Sequence, residues 1–241
     1  FYGTMAEKTK AGGSDMSARE KILGRIRAQK KRGALDGEAQ DLLAARIAKH
    51  ERNVIPKRGQ IPLPEQMDLL QSKMEKLLST VERVADASEI PSAVQAYLAS
   101  QNLPSRIKMS PSESLTELPW GDIPTLEIVT GAGAEEDMVG MSPAFAAVAE
   151  TGTLMMASGP KTPSTVNFLP ENHIVVLQAS DITGSYEQAW DRLRGATEKT
   201  GMPRTVNFIS GPSRTADIEQ RLIMGAHGPK SLHVILVGDG T

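Results

Sequence analysis

The chain is predicted to be an α/β protein: a mostly parallel sheet with helices packed on it, preceded by a helical N-terminal arm. Three observations lead there. Apolar runs of strand length recur through the second half and end in LHVILV (232–237), a nearly continuous run suited to a strand covered on both faces. A capped amphipathic helix separates two of those runs, as in a βαβ unit. The first third carries apolar residues at three- and four-residue spacing, the period of a helix.

Taken in order, the opening FYGTMAEKTKAGGSD (1–15) has no periodicity and reads as a disordered extension or a non-native remnant. From Met16 the chain becomes helical. Ile22, Leu23 and Ile26 make one short stripe, and Leu35, Leu42, Leu43 and Ile47 a second. Residues 16–60 are thus a helical basic arm closed by the Pro-rich linker NVIPKRGQIPLP, and residues 61–241 are the α/β domain. Met67, Leu70, Met74, Leu77, Val81 and Val84 continue at helical spacing and predict one long helix. Pro91 opens another, with Val94, Tyr97 and Leu98 on one face. RIKM (106–109), LEIVT (126–130), TLMMA (153–157), HIVVLQA (173–179) and TVNFI (205–209) are strand candidates, and SPAFAAVAE (142–150) is ambiguous. Ser185 and Gln188 form a capping box ahead of a helix that puts Tyr186, Ala189, Trp190 and Leu193 on one face. A short helix is expected after Ser213, so that residues 173–237 run strand, helix, strand, helix, strand.

Composition narrows the function. The net charge is −2, with no global pull toward nucleic acid or membrane. Residues 17–60 hold twelve Lys and Arg against five Asp and Glu, but no aromatic residues interleave with them as base stacking requires, so nucleic acid is not an expected partner. No run approaches the roughly 20 apolar residues of a membrane span. There are no cysteines, which excludes disulfides, zinc thiolate sites and a cysteine-held iron–sulfur cluster in this chain and fits a cytoplasmic setting.

Candidate sites come from polar islands in apolar context. TGAGAEED (130–137) follows a strand, but Glu135, Glu136 and Asp137 would repel a pyrophosphate, so it reads as an acidic loop. GPSRT (211–215) resembles a hydrolase elbow, yet Thr215 stands where the second glycine belongs and Pro212 crowds the serine. The same segment serves better as a helix start. Ser213, Thr215 or Asp217 would cap it, and its free N–H groups with Ser210, Gly211 and Arg214 would suit an anion, although Asp217 competes for those donors. His227 is expected at the far end of that helix from Ser213, as a structural loop residue. Glu150, Thr151, Gly152 and Thr153 form a second island, either an exposed turn or the lining of a cleft, with Glu150 the candidate carboxylate for catalysis. Glu171 offers another carboxylate beside a strand start. A metal site from His173, Glu171 and Glu150 lacks ligand spacing, and no metal is expected.

In order, ETGTL (150–154), NFLPENHIVVL (167–177), SGPSRTADIEQRL (210–222) and GAHGPKSLHVILV (225–237) resemble the LUD domain family, nearest its lactate utilization protein C subgroup (LutC, YkgG type). MSAREKILGRIR (16–27) and IPSAVQAYL (90–98) are similar to that subgroup too, so the resemblance spans 16–239. It implies a three-layer fold like the NagB/RpiA/CoA-transferase-like proteins. It also implies a part in oxidising L-lactate to pyruvate beside iron–sulfur partner subunits that carry the clusters, leaving this chain without a cofactor. Whether the chain catalyses a step itself stays open. The alternative is an independent enzyme or sensor for a phosphorylated or CoA-linked metabolite on the same fold.

Overall fold

A computed structural model of the chain describes residues 17–30, 33, 35–218 and 221–238, without the side chains of 216–223. The opening stretch read as an extension or remnant, 1–15, lies outside the described residues. The chain divides into two units between Glu51 and Arg52.

The first unit holds α1 (Ala18–Gln29) and α2 (Gly37–Lys49). Each starts at a side-chain cap: Ser17 accepts from the Glu20 N–H in a full capping box, and Asp36 accepts from the Ala39 N–H. Their stripes are uncovered, since Ile22, Ile26, Leu42 and Ile47 are all exposed.

The second unit runs α3 (Leu63–Lys76), β1 (Thr80–Val84), α4 (Ile90–Ser100), β2 (Arg106–Met109), α5 (Glu113–Thr116), β3 (Glu127–Thr130), β4 (Val139–Pro143), β5 (Ala146–Val148) and β6 (Thr153–Ala157). It continues through α6 (Thr165–Phe168), β7 (Asn172–Gln178), β8 (Ile182–Thr183), α7 (Tyr186–Thr197), β9 (Val206–Ile209), β10 (Arg214–Ile218), β11 (Arg221–Met224) and β12 (Ser231–Val237). Six strands form one parallel sheet in the order β1-β12-β7-β4-β2-β3. A second sheet, β8-β5-β6-β9, pairs β5 with β8 in parallel and the rest antiparallel. The expected α/β class with a mostly parallel central sheet and a helical N-terminal region is therefore what the chain forms.

The apolar runs are continuous because both faces of the main sheet are covered. Along β7, Ile174 and Val176 join the core with α4, while Val175 and Leu177 join the core on the opposite face with α3. β12 divides the same way: Ile235 and Val237 turn to α4, and Leu232, Val234 and Leu236 to the other side. The outer face of the second sheet is closed by α7, whose Ala189 and Leu193 bury against Ala146, Val148 and Met155. Ser185 and Gln188 make the capping box expected of them.

Three local expectations are corrected. The helix predicted through Val84 stops at α3, because Leu78 takes a left-handed φ of 68° and the β-branched Val81 and Val84 enter β1, one in each core. Their spacing imitates a helical seam but serves two opposite faces of a strand. TVNFI forms a strand outside the main sheet: β9 pairs antiparallel with β6. The segment after Ser213 is an antiparallel β10–β11 hairpin, with Arg214 opposite Met224 and Thr215 opposite Ile223, so the helix expected there does not exist. β-Branched Thr215, Ile218 and Ile223 suit a ladder, and the base is tied by Ser213 N–H to Pro229 O and Gly225 N–H to Ser213 O. Among the described residues, no helix is long and apolar enough to cross a membrane.

Candidate functional site

A cleft of about 300 Å³ opens where the N-terminal ends of β7 and β12 meet the end of β9 and the base of the hairpin. Its polar lining comes from Asn167, His173, Ser210, Ser213, Arg214 and His227, and Phe168 and Phe208 lie along it as part-exposed aromatic rings. Arg214 is exposed and is the one formally charged side chain in this lining. No carboxylate faces it there among the described residues.

Register brings the hydroxyls together. Because Leu154 pairs with Ile209, Thr153 at the start of β6 falls opposite Ser210, just past β9. Thr153 Oγ1 lies 2.7 Å from Ser210 Oγ, 2.8 Å from Thr151 Oγ1 and 3.1 Å from Tyr186 Oη. Tyr186 reaches them from the first turn of α7 and also accepts from Thr151 at 3.2 Å. Thr153 is fully buried and Ser210 exposed, so this chain of hydroxyls runs from the core to the cleft.

Two of the predicted glycines are backbone requirements. Gly152 has φ 69° in the turn between β5 and β6, and a Cβ there would stand 2.6 Å from Lys73 Cβ. Gly211 has φ 95°, and a Cβ there would stand 2.6 Å from the Leu77 carbonyl oxygen. Both lie against the C-terminal end of α3, where a side chain would force the helix away.

His173, low on β7, is 1% exposed and places Nε2 2.7 Å from Ser142 Oγ on β4. Ser142 in turn donates to Asn167 Oδ1 at 2.9 Å. Burial lowers the His173 pKa from 6.5 to about 3, so the ring is neutral. Its Nδ1 is buried without a partner.

The remaining candidates disperse. Glu150 is 5% exposed, away from the cleft lining, with Arg58 Nε 3.5 Å from its Oε2. Glu171 pairs with Lys230 in a neighbouring depression that also receives Glu135. Thr215 lies within β10; Asp217 is in the same strand, its side chain outside the description. His173, Glu171 and Glu150 therefore make three separate contacts, and no group of three potential metal ligands occurs among the described residues.

Two expectations about the loop change. The free N–H donors of a helix start are absent because no helix forms there; at the hairpin base Ser213 N–H binds Pro229 O, Gly225 N–H binds Ser213 O, and the His227 N–H reaches Ser213 Oγ at 3.2 Å. His227 is therefore beside Ser213, not at the far end of a crossing, since a hairpin returns where a helix would have carried the chain away. The contact uses the His227 backbone rather than its ring, so it is not a nucleophile–base pair. Asn167, Ser142 and Tyr186 are the site residues that sequence reasoning missed. NFLPENH pointed to the segment of Asn167, but nothing in SPAF or in the face of α7 marked a polar role.

The arginine-bearing cleft thus lies beside a parallel sheet covered on both faces, in a protein of the α/β class. The family model for the LUD domain matches residues 67–237, and the chain belongs to that family. A protein named Lactate utilization protein C from Exiguobacterium sp. is 30% identical over 82% of this chain and 93% of its own length. One of the same name from Geobacillus sp. is 38% identical, the match covering 44% of each chain, and one from Bacillus subtilis is 36% identical over 44% of this chain and 45% of its own. A solved structure of a DUF162 family protein from Deinococcus radiodurans shares the fold with a TM-score of 0.55, at 17% identity over 74% of this chain and 99% of its own.

The Arg58–Glu150 contact makes a separate prediction. Arg58→Ala leaves a nearly buried carboxylate unpaired and is expected to cost on the order of 1–3 kcal/mol in urea melts. Glu150→Gln in the same chain should restore most of it. A catalytic rather than structural carboxylate would instead show a loss of function in Glu150→Gln alone at unchanged stability.

Proposed function

We propose that this chain is a C-type lactate utilization protein: a subunit without an iron–sulfur cluster that acts with iron–sulfur partner proteins in oxidising L-lactate to pyruvate, its cleft binding a small anion. The observation that carries the anion reading is the lining itself, with Arg214 as its charged group and hydroxyls and amides around it. The names of the relatives and their coverage support the pathway. The missing cysteines are compatible with that division of labour, because a cysteine-held cluster would have to sit on another chain.

Reconstitution tests the proposal. Lactate-dependent reduction of an electron acceptor by the iron–sulfur partners should fall severalfold when this chain is omitted and return when it is added back. An unchanged rate without it would overturn the role.

A further inference from the structure

We propose that Asn167 is a ligand-binding donor in the cleft, that the Ser142–His173 pair sets its orientation, and that the ligand it takes with Arg214 is a small carboxylate. This rests on the anion-cleft reading and adds the identity of the second donor and the class of anion. Asn167 lines the cleft, is 6% exposed, and has its Oδ1 committed to Ser142 at 2.9 Å. Its amide nitrogen has no partner among the described residues. That nitrogen is not sealed inside the protein but faces the cleft, where an acceptor entering can take its N–H.

The direction of the amide follows from counting protons. Ser142 Oγ has one proton and two neighbours, Asn167 Oδ1 and His173 Nε2, the latter at 2.7 Å. If the proton goes to Asn167, His173 must carry its own proton on Nε2 and donate it to Ser142. The unpartnered Nδ1 is then a bare lone pair. If the proton goes to His173, the amide must turn its nitrogen to Ser142 and its oxygen to the cleft, and Nδ1 becomes a buried N–H with no acceptor. An orphaned buried donor is the rarer and costlier state. The first arrangement is therefore favoured: His173 is the Nε2–H tautomer, and Asn167 presents N–H to the cleft.

The resulting donor set suits a monoanion. One guanidinium and one amide match the two oxygens of a carboxylate. A phosphate near neutral pH carries more charge and an additional oxygen to satisfy, and the nearby backbone N–H groups of Ser213, Gly225 and His227 already serve the hairpin. Asn167 would contact the ligand directly; Ser142 and His173 are positioning residues.

Calorimetric titration of the full chain with sodium pyruvate, sodium L-lactate and inorganic phosphate tests this. The wild type should bind at least one carboxylate more tightly than phosphate. Asn167→Ala should weaken carboxylate binding by roughly tenfold and Asn167→Asp by more, with cooperative melts retained. His173→Gln keeps a nitrogen donor near the Nε2 position and should bind within about threefold of wild type, whereas His173→Ala should bind as weakly as Asn167→Ala. Nitrogen-15 NMR should show His173 as the Nε2–H tautomer. Binding of none of the three anions by the wild type would bring down the cleft reading together with this one. Carboxylate binding unchanged in both Asn167 variants would remove Asn167 alone and leave the cleft reading in place. Tighter phosphate binding would overturn the ligand class, and an Nδ1–H tautomer would overturn the orientation.

Discussion

Urea melts between pH 7.5 and pH 4 should show stability falling steeply below pH 6.5, well above the range where surface carboxylates titrate. Two histidines cause it. Burial holds His173 down from 6.5 to about 3, and His233 down from 6.5 to about 4. His233 is 4% exposed, stacks on Tyr97 with ring centroids 3.9 Å apart, and has Nδ1 2.8 Å from Thr80 Oγ1. The Glu82 carboxylate stands 3.7 Å from its Nε2 and favours the charged ring, but desolvation prevails. His173 has only the neutral Ser142 and Asn167 in its hydrogen-bonded chain. Folded, both rings stay neutral; unfolded, each takes a proton near its ordinary value. Between 6.5 and the folded values the unfolded chain therefore binds more protons, so stability is retained above pH 6.5 and lost as pH falls. Each ring contributes about 1.4 kcal/mol per pH unit over its window. Asp181, raised chiefly by desolvation, acts in the opposite direction at lower pH and offsets part of the loss. Against a typical domain stability of about 5–15 kcal/mol, two such protons remove roughly 7 kcal/mol by pH 4, a large share of the total. His233→Gln should roughly halve the slope. Stability that stays flat from pH 7 to pH 5 would contradict neutral burial of the two rings.

Those histidines also show what could be read before the fold was known. A strand buried on both faces was legible in HIVVLQA and LHVILV, because every position of such a strand must be apolar or internally paired. The polar exception His173 was marked at its strand start whereas His233 passed within an apolar run, and the partners of both were hidden: Ser142 and Thr80 lie on neighbouring strands that only the sheet order brings near. Ser185 and Gln188 were legible because a capping box is local. The sheet to which β9 belongs was not, since four residues carry no mark of their pairing with β6. The polar character of Thr151, Thr153 and Ser210 was legible, but their meeting was not, because it comes from the register between β6 and β9. The hairpin after Ser213 was misread because Ser, Thr and Asp suit a helix cap and a turn equally well, while the pairing that decides between them depends on Pro229, far along the chain.

Losing that helix shifts the whole electrostatic burden of the cleft onto one side chain, and Arg214 should accordingly dominate anion affinity. A helix start would have offered a dipole and several free N–H groups, so that removing one arginine left most of the attraction. The hairpin has no such end, and the N–H groups at its base bind Pro229 O, Ser213 O and Ser213 Oγ. Lys230, the nearby amine, is tied to Glu171 and has its charge offset there. Arg214→Ala is thus expected to weaken binding of a small carboxylate by about 10- to 100-fold, the worth of a charge-assisted hydrogen bond. Arg214→Glu should abolish it, and Arg214→Lys should fall between, since an ammonium keeps the charge but not the fork. Arg214 is exposed, so thermal melts of all three variants should stay close to wild type. Wild-type affinity should also decline with added salt, and the Ala variant should show a shallower decline. In the reconstituted system, the same variants should lower lactate-dependent electron transfer in the same order. Retained binding in Arg214→Glu would mean that the anion is held elsewhere. Lost binding with undiminished electron transfer would separate the cleft from the lactate pathway, because a site needed for the reaction cannot lose its ligand without slowing it.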